Sequence, residues 1–285
     1  MIVTSQPSEF SELLEQARRA GRTVGLHPTM GALHAGHAAN VRRAALECDL
    51  AAVTIFVNPL QFGPGEDFEA YPRDLGVDLE LAEAAGAGVV FCPSTEAMYG
   101  RSPLVTVGVK GLAERWEGAR RPGHFDGVAT VVTKLFALAG PCTAYFGEKD
   151  YQQLVVVRRL VEDLSLPVRV EACPTVREAD GLALSSRNRY LGPEEREEAP
   201  GLYWALLAGK RAIEEQGVAD AALVVEEMHR AVRRQPLVEL EYAAVVSPED
   251  LEPVDEVSGP ARLLIAGRVG LARLIDNVAA EKEDA

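Results

Sequence analysis

The chain has 285 residues, 47% of them apolar and 25% charged, enough for one large domain or two ordinary ones. Its 43 acidic and 29 basic residues leave a formal net charge of −14, which argues against nucleic acid or an anionic membrane as a partner. That balance does not exclude a small anion, because a local cluster of donors can outweigh a distant net charge. Apolar runs such as Leu50 to Val57 fall short of the ~18–20 residues that span a bilayer. Met1 to Phe10 has neither the basic start nor the apolar core of an export signal, so a cytoplasmic location is expected. Cys48, Cys92, Cys142 and Cys173 lack metal-site spacing and read as buried small apolar residues in a reducing compartment.

Over the first 176 residues short β-rich runs alternate with helical patterns. Strands are predicted at Thr23–Pro28, Leu50–Val57, Val89–Cys92, Thr143–Phe146 and Val168–Ala172. Helices are predicted at Ser8–Ala20, Gly36–Glu47, Asp74–Ala85, Gly127–Ala139 and Asp150–Leu164. Val128, Val131, Val132, Leu135 and Phe136 recur at three and four residues as a buried stripe, and Leu154, Val157, Val161 and Leu164 do the same. Apolar strands alternating with helices predict a Rossmann-like α/β domain, a parallel sheet covered on both faces, with ligands beyond the carboxyl ends of its strands.

From residue 177 to 285 the style changes. Ala183–Leu191 reads as a loop, and helices are expected at about Pro193–Gln216 and Ala219–Arg234. In Val238–Val246, Val238, Leu240 and Tyr242 alternate with Glu239 and Glu241, the pattern of a half-buried strand. Two more strands, Arg262–Arg268 and Leu271–Asp276, complete a smaller α+β domain with a short antiparallel sheet. The tail Glu281–Ala285 is expected to fray.

The first strand runs into His27-Pro28-Thr29-Met30-Gly31-Ala32-Leu33-His34-Ala35-Gly36-His37. Glycine lets the backbone turn sharply there, and His34 and His37, three apart, share one side of the first helical turn. A helix N-terminus with its partial positive charge and free N–H groups suits phosphate, and two imidazoles add to it. Three of the five histidines fall within these eleven residues, which outweighs a capped turn with two surface histidines. There is neither a G-x-G-x-x-G nor a G-x-x-x-x-G-K-[ST] motif, so neither a dinucleotide nor P-loop chemistry is indicated.

Further pieces carry chemistry of their own. Asn58 and Gln61 follow a strand at its carboxyl edge, where neutral amides can bond a hydroxyl or carboxylate without the desolvation cost of a charge. In Gly147-Glu148-Lys149-Asp150 the lysine can face a phosphate and Asp150 can accept from ribose hydroxyls; a solvated salt bridge is the plainer reading. Ser185, Ser186 and Arg187 offer two hydroxyls and a guanidinium to pyrophosphate oxygens, although read alone they are an ordinary linker.

His34-Ala35-Gly36-His37 resembles the H-x-G-H signature of the nucleotidylyltransferase superfamily. With Phe56-Val57-Asn58-Pro59-Leu60-Gln61-Phe62, Tyr71-Pro72-Arg73, Arg121-Pro122-Gly123-His124-Phe125, Phe146 to Leu154, Asp180 to Asn188 and Arg273-Leu274-Ile275-Asp276-Asn277, the resemblance narrows to the pantothenate synthetases (pantoate–β-alanine ligases). These motifs run in family order over nearly the whole chain.

The resemblance implies ATP-dependent condensation of pantoate with β-alanine through a pantoyl adenylate, in a homodimer using Mg²⁺ and no tightly bound organic cofactor. It implies catalytic roles for His34, His37, Lys149, Ser185, Ser186 and Arg187. Nucleotide contacts are implied for Met30, Gly31, Ala32, Leu33 and Gly36 after the first strand, for Gly147, Glu148 and Asp150, and for Val176 and Leu184. Pantoate or β-alanine contacts are implied for Pro28, Met30, Asn58, Gln61 and Gln153. Ser185 to Asn188 look like the counterpart of the K-M-S-K-S phosphate loop, with the smaller domain as a lid. The family's magnesium region often carries acids after Tyr71-Pro72-Arg73; here Asp78 remains beside Val77, a candidate metal ligand or else a solvent-facing helix residue. His124, in Arg120–Gly127, reads as part of an active-site loop or a structural turn. Two other functions are weighed: a nucleotidylyltransferase with a phosphorylated acceptor, disfavoured by the neutral Asn58, Gln61 and Gln153, and a non-enzymatic nucleotide sensor, disfavoured by the complete motif set.

Overall fold

The computed structural model describes residues 1–282 as two compact units. The first comprises Met1–Gly147 and Gln152–Pro174; the second comprises Glu148–Tyr151 and Thr175–Ala285. Part of the tail expected to fray, residues 283–285, lies outside the described residues, whereas Glu281 pairs with Pro260 inside a strand.

The first unit contains, in order, β1 (Ile2–Thr4), α1 (Pro7–Arg19), β2 (Val24–Thr29), α2 (Ala35–Glu47), β3 (Leu50–Ile55), α3 (Leu75–Ala84), β4 (Val89–Phe91), α4 (Thr95–Tyr99), α5 (Trp116–Arg120), α6 (His124–Ala139), β5 (Cys142–Gly147), most of α7 (Tyr151–Asp163) and β6 (Val168–Cys173). The strands form one parallel sheet in the order β1-β4-β3-β2-β5-β6. The order reverses between β2 and β5, so the crevice beyond their carboxyl ends is where such a sheet binds ligands. A cluster of Leu33, Val41, Val53, Ala82 and Val90 fills one face, while the stacked rings of Phe10 and Phe91, 4.6 Å apart, lie between α1 and β4. Burial on both faces explains why β3 and β4 are nearly continuous apolar runs.

Several boundaries differ from the sequence reading for identifiable reasons. The three-residue edge strand β1 is too short to leave a period in the sequence. In α6 the expected stripe is buried, but so are Ala129 and Thr130, because the helix is covered on more than one side. Leu164 lies past the end of α7 and is 47% exposed, so that stripe ends earlier than predicted. His124 begins α6, so Arg120–Gly127 is a helix-to-helix turn rather than an open loop. All four cysteines are free thiols, but Cys173 alone is buried and the other three are half-buried.

The second unit carries α8 (Pro193–Glu198), α9 (Gly201–Glu214), α10 (Ala221–Val232), β7 (Val238–Val246), β8 (Pro260–Val269) and β9 (Ala272–Glu281), with an antiparallel sheet β7-β8-β9. The single helix expected from Pro193 is split at Ala199–Pro200, where proline lacks the amide to continue it. The alternation in β7 breaks at a register shift between Leu240 and Tyr242, and Glu241 is held by Arg268 and Arg273 rather than standing in solvent.

One buried group on β2 gives the fold an acid sensitivity. The Nδ1–H of His27 donates to the Tyr145 carbonyl at 2.8 Å, and among the described residues its buried Nε2 has no hydrogen-bond partner. Burial pushes its pKa down to about 4. The unfolded chain, with an ordinary histidine pKa of ~6.5, therefore binds more protons between those values. Stability is full above pH ~6.5 and declines as pH falls toward 4. His27→Val should flatten the acid decline, because the group whose protonation favours the unfolded chain is gone. A variant whose Tm tracks the parent's from pH 7 to 4.5 would contradict this.

Candidate active site

The turn from β2 into α2 is built by side chains accepting backbone N–H groups. Gly31 (φ 84°) and Ala32 (φ 51°) are both left-handed, which carries three successive amides away from any helical or strand partner. Thr29 Oγ1 accepts from Gly31 N–H at 3.2 Å, Asp78 Oδ2 from Ala32 N–H at 3.0 Å and Asp78 Oδ1 from Leu33 N–H at 2.7 Å. His37 Nδ1 then accepts from His34 N–H at 3.3 Å, and His34 Nδ1 from Gly36 N–H at 3.2 Å. The two rings form a capping box around the helix N-terminus, with centroids 4.0 Å apart.

The amides of Gly31, Ala32, Leu33, His34 and Gly36 have side-chain acceptors, and the two imidazoles stand at the helix N-terminus as further polar groups. With Nδ1 of each ring accepting, a neutral ring carries its proton on Nε2, as a donor. Each histidine can thus stabilise an anion without first gaining a proton. Asp78, expected as a metal candidate or a solvent-facing residue, is 2% exposed, and both its oxygens hold the turn. It is Val77, 55% exposed, that faces solvent.

Asn58 and Gln61 lie beyond the end of β3, in a 3₁₀ turn over Pro59–Gln61. Asn58 Nδ2 donates to Gln61 Oε1 at 3.0 Å and to the Gly127 carbonyl at 3.1 Å. Its Oδ1 accepts from Leu60 N–H and from the Tyr99 hydroxyl at 2.8 Å. All four hydrogen-bonding positions of this 1% exposed amide are occupied, one of them by Gln61. Gln61 Nε2 reaches the Met30 sulfur at 3.0 Å, a weak acceptor that a ligand oxygen can replace. Pro28 is the penultimate residue of β2. Gln153 is half-buried in the first turn of α7, and no hydrogen bond among the described residues joins it to Asn58 or Gln61.

His124 secures the same turn. Its Nδ1–H donates to the Gln61 carbonyl at 2.8 Å, while Nε2 accepts from Arg121, whose guanidinium pairs with Glu66 at 2.6 Å. Burial, reinforced by the Arg121 charge, pushes the His124 pKa down to about 4, which keeps the ring neutral in this role. Gln152, beside Gln153, bonds the backbone of Leu112, Arg115 and Glu117. The sequence reading left His124 between an active-site loop and a structural turn, and Gln152 did not stand out, because the backbone groups they bond lie 35 to 63 residues away.

In the second unit, Glu148, Lys149 and Asp150 form a 3₁₀ turn fixed from β9. Asn277 Nδ2 donates to the carbonyls of Glu148 and Lys149, both at 2.9 Å, and Arg262 bonds Asn277 Oδ1 at 2.7 Å and Glu148 at 3.1 Å. Lys149 pairs with the half-exposed Asp150 at 3.2 Å. Ser185–Arg187 open another 3₁₀ turn, which spans Ser186–Tyr190, and Ser185 Oγ accepts from Arg187 N–H. Leu184 N–H bonds the Val176 carbonyl at 3.0 Å, and Arg177 forks onto Asp276 at 2.6 and 2.9 Å. Asn277 on β9 therefore holds the lysine turn, and its neighbour Asp276 holds Arg177, which bonds the Gly181 carbonyl ahead of the serine turn.

A parallel α/β sheet with an imidazole-capped turn at its topological switch is an arrangement suited to a nucleotide-binding enzyme. The family model for pantoate-beta-alanine ligase matches residues 2–279. The chain is 52% identical over 281 residues to the pantothenate synthetase of Rubrobacter xylanophilus, covering 96% of each chain. It is 54% identical over 273 residues to that of Thermus thermophilus, covering 95% of this chain and 97% of the relative. A crystal structure of the Thermus thermophilus pantothenate synthetase superposes with a TM-score of 0.92 at 50% identity, over 98% of this chain and 99% of that one. The Francisella tularensis pantoate-beta-alanine ligase, solved with beta-gamma ATP and beta-alanine, superposes with a TM-score of 0.80 at 32% identity, over 98% and 97%. The chain belongs to the pantoate-beta-alanine ligase family.

The Gln61 turn is also packed without slack. A Cβ on Gly127 of α6 would strike the Leu60 carbonyl and lie 2.6 Å from Gln61 Cα, against backbone that cannot rotate away. Gly127→Ala should cost about 1–3 kcal/mol, read as a lower denaturant midpoint at unchanged slope. An unchanged midpoint would refute this packing.

Proposed function

We propose that the chain condenses pantoate with β-alanine at the expense of ATP, yielding pantothenate, AMP and pyrophosphate. The observation that carries this is the bond from Gln61 to Met30, which joins a neutral amide reader to the turn that His34 and His37 close. One short stretch thus combines phosphate donors with groups suited to a hydroxy acid.

In the first step a pantoate carboxylate oxygen attacks the α-phosphorus, the bond to the bridging oxygen breaks, and pyrophosphate leaves. In the second, the β-alanine amine attacks the acyl carbon, AMP departs with the former carboxylate oxygen, and the amine proton passes to solvent. Gln61 and Gln153 are assigned to pantoate, with Asn58 acting through Gln61. His34 and His37 donate Nε2–H to phosphate oxygens, and Lys149, Ser185, Ser186 and Arg187 neutralise charge on the α-phosphate and the leaving group. The Lys149–Asp150 pair is partly exposed and worth little, so exchanging it for ATP, with Asp150 turning to ribose, costs little. Main-chain and apolar contacts to the nucleotide are assigned to Met30–Leu33, Gly36, Gly147, Glu148, Val176 and Leu184, and contacts to the acid to Pro28 and Met30.

Mg²⁺ is assigned to the substrate complex, held by ATP phosphates and water as it prefers. Among the described residues no group of three or more His, Cys, Asp or Glu is arranged to hold a metal, and the Asp78 oxygens already serve backbone amides. The second unit is assigned the exclusion of water during the life of the adenylate. A homodimer and a cytoplasmic location complete the reading, and no helix among the described residues is long and apolar enough to cross a membrane.

ATP–pyrophosphate exchange should require pantoate and proceed without β-alanine; exchange independent of pantoate would point instead to a nucleotidylyltransferase. His37→Ala and Lys149→Ala should each slow single-turnover adenylate formation by roughly 10²–10³. Near-parental rates in both variants would overturn the site assignment.

A further inference from the structure

We propose that Asp78 is a positioning residue that sets the geometry of the phosphate-binding turn, and that it is not a magnesium ligand. The inference deepens, and rests on, the reading of the His34–His37 turn as the phosphate site. Asp78 lies in the first turn of α3, on the same side as Ala82, and the two are the buried residues of that helix. A buried carboxylate needs compensation, and Asp78 finds it in Ala32 N–H at 3.0 Å and Leu33 N–H at 2.7 Å, one for each oxygen.

The residues it holds are the ones that most need holding. Ala32 has φ 51°, a left-handed conformation that is unfavourable for a residue with a Cβ. The preceding Gly31 has φ 84°, and a Cβ there would lie 2.8 Å from Asp78 Oδ2, so the acid and the turn fit with no room for a side chain between them. Two residues after the anchored Leu33 amide, α2 begins, with His34 as its N-cap. Moving Asp78 therefore moves the start of the helix that carries both imidazoles.

A metal ligand and an anchor differ in what they need from the carboxylate. A ligand's contribution depends on the cation and is made up by more of it when the ligand is lost, whereas two N–H bonds to the turn depend on the carboxylate alone. An anchor needs two acceptors and no cation. Asparagine matches the shape but supplies one acceptor, and its NH₂ group would face one of the two amide N–H groups, donor against donor.

The test uses the full-length enzyme. In the parent protein, hydrogen exchange at Ala32 and Leu33 should be slow, like that of sheet amides, and unaltered by Mg²⁺ alone. Asp78→Asn should accelerate exchange at both amides and slow single-turnover adenylate formation at least tenfold. The Mg²⁺ concentration for half-maximal rate should stay within about twofold of the parent's. Fast exchange at these amides in the parent, or a variant of parental rate, would overturn the proposal. So would a variant that regains the parental rate at high Mg²⁺, since that is how a lost metal ligand behaves. Should Asp78→Asn fail to fold, exchange in the parent with and without Mg²⁺ still decides the matter. His37→Ala separates the two levels. If it abolishes adenylate formation while Asp78→Asn does not slow it, the anchor fails and the phosphate site stands; if neither slows it, the site itself is wrong.

Discussion

Backbone amides with nowhere regular to go are the constraint on which this site depends. At the end of β2 the chain leaves a parallel sheet and enters a helix through two left-handed residues, so the amides from Gly31 to Gly36 cannot all find main-chain acceptors. Side chains supply them: Thr29 at the strand end, Asp78 from α3, and the imidazoles of His34 and His37. The histidines are fixed by the turn they cap, and the same hydrogen bonds put the proton of each neutral ring on Nε2. Orientation and tautomer thus follow from one requirement, that buried polar groups be paired.

Similar logic extends outward. Asn58 is saturated so that Gln61 has a defined position, and His124 stays neutral beneath Arg121 so that it can hold the Gln61 carbonyl. In the second unit, Asp276 and Asn277 keep Arg177 and the Lys149 turn in place. The residues nearest the proposed chemistry are largely neutral or paired, which reconciles binding of an anionic acid and a triphosphate with a chain whose formal charge is −14. Fixed dipoles and donors, not net charge, carry the electrostatics.

Much of the fold was legible because burial on both faces of a parallel sheet leaves apolar runs that alternate with helical stripes. The strands from Leu50, Val89 and Val168 begin where the pattern begins. Edge strand β1, the break at Pro200 and the bulge in β7 were missed because each is shorter than the period that would reveal it. The groups assigned to the chemistry were picked out by local spacing, as with His34 and His37, or by resemblance, as with Gln61 and Ser185. Their supports were not. Asp78 reads as an ordinary acid on a helix beside Val77, and only the fold turns the acid inward and the valine out. Its partners Ala32 and Leu33 lie 46 and 45 residues away and are met through main-chain atoms, which leave no trace in side-chain pattern.

The central claim is that pantoate is activated at its carboxylate by transfer of AMP. Pantoate labelled with ¹⁸O in both carboxylate oxygens, turned over with ATP and β-alanine, follows that transfer atom by atom. The account predicts one labelled oxygen in AMP, one retained in the pantothenate amide and none in pyrophosphate. AMP free of label, or label recovered in inorganic phosphate or pyrophosphate, would contradict it.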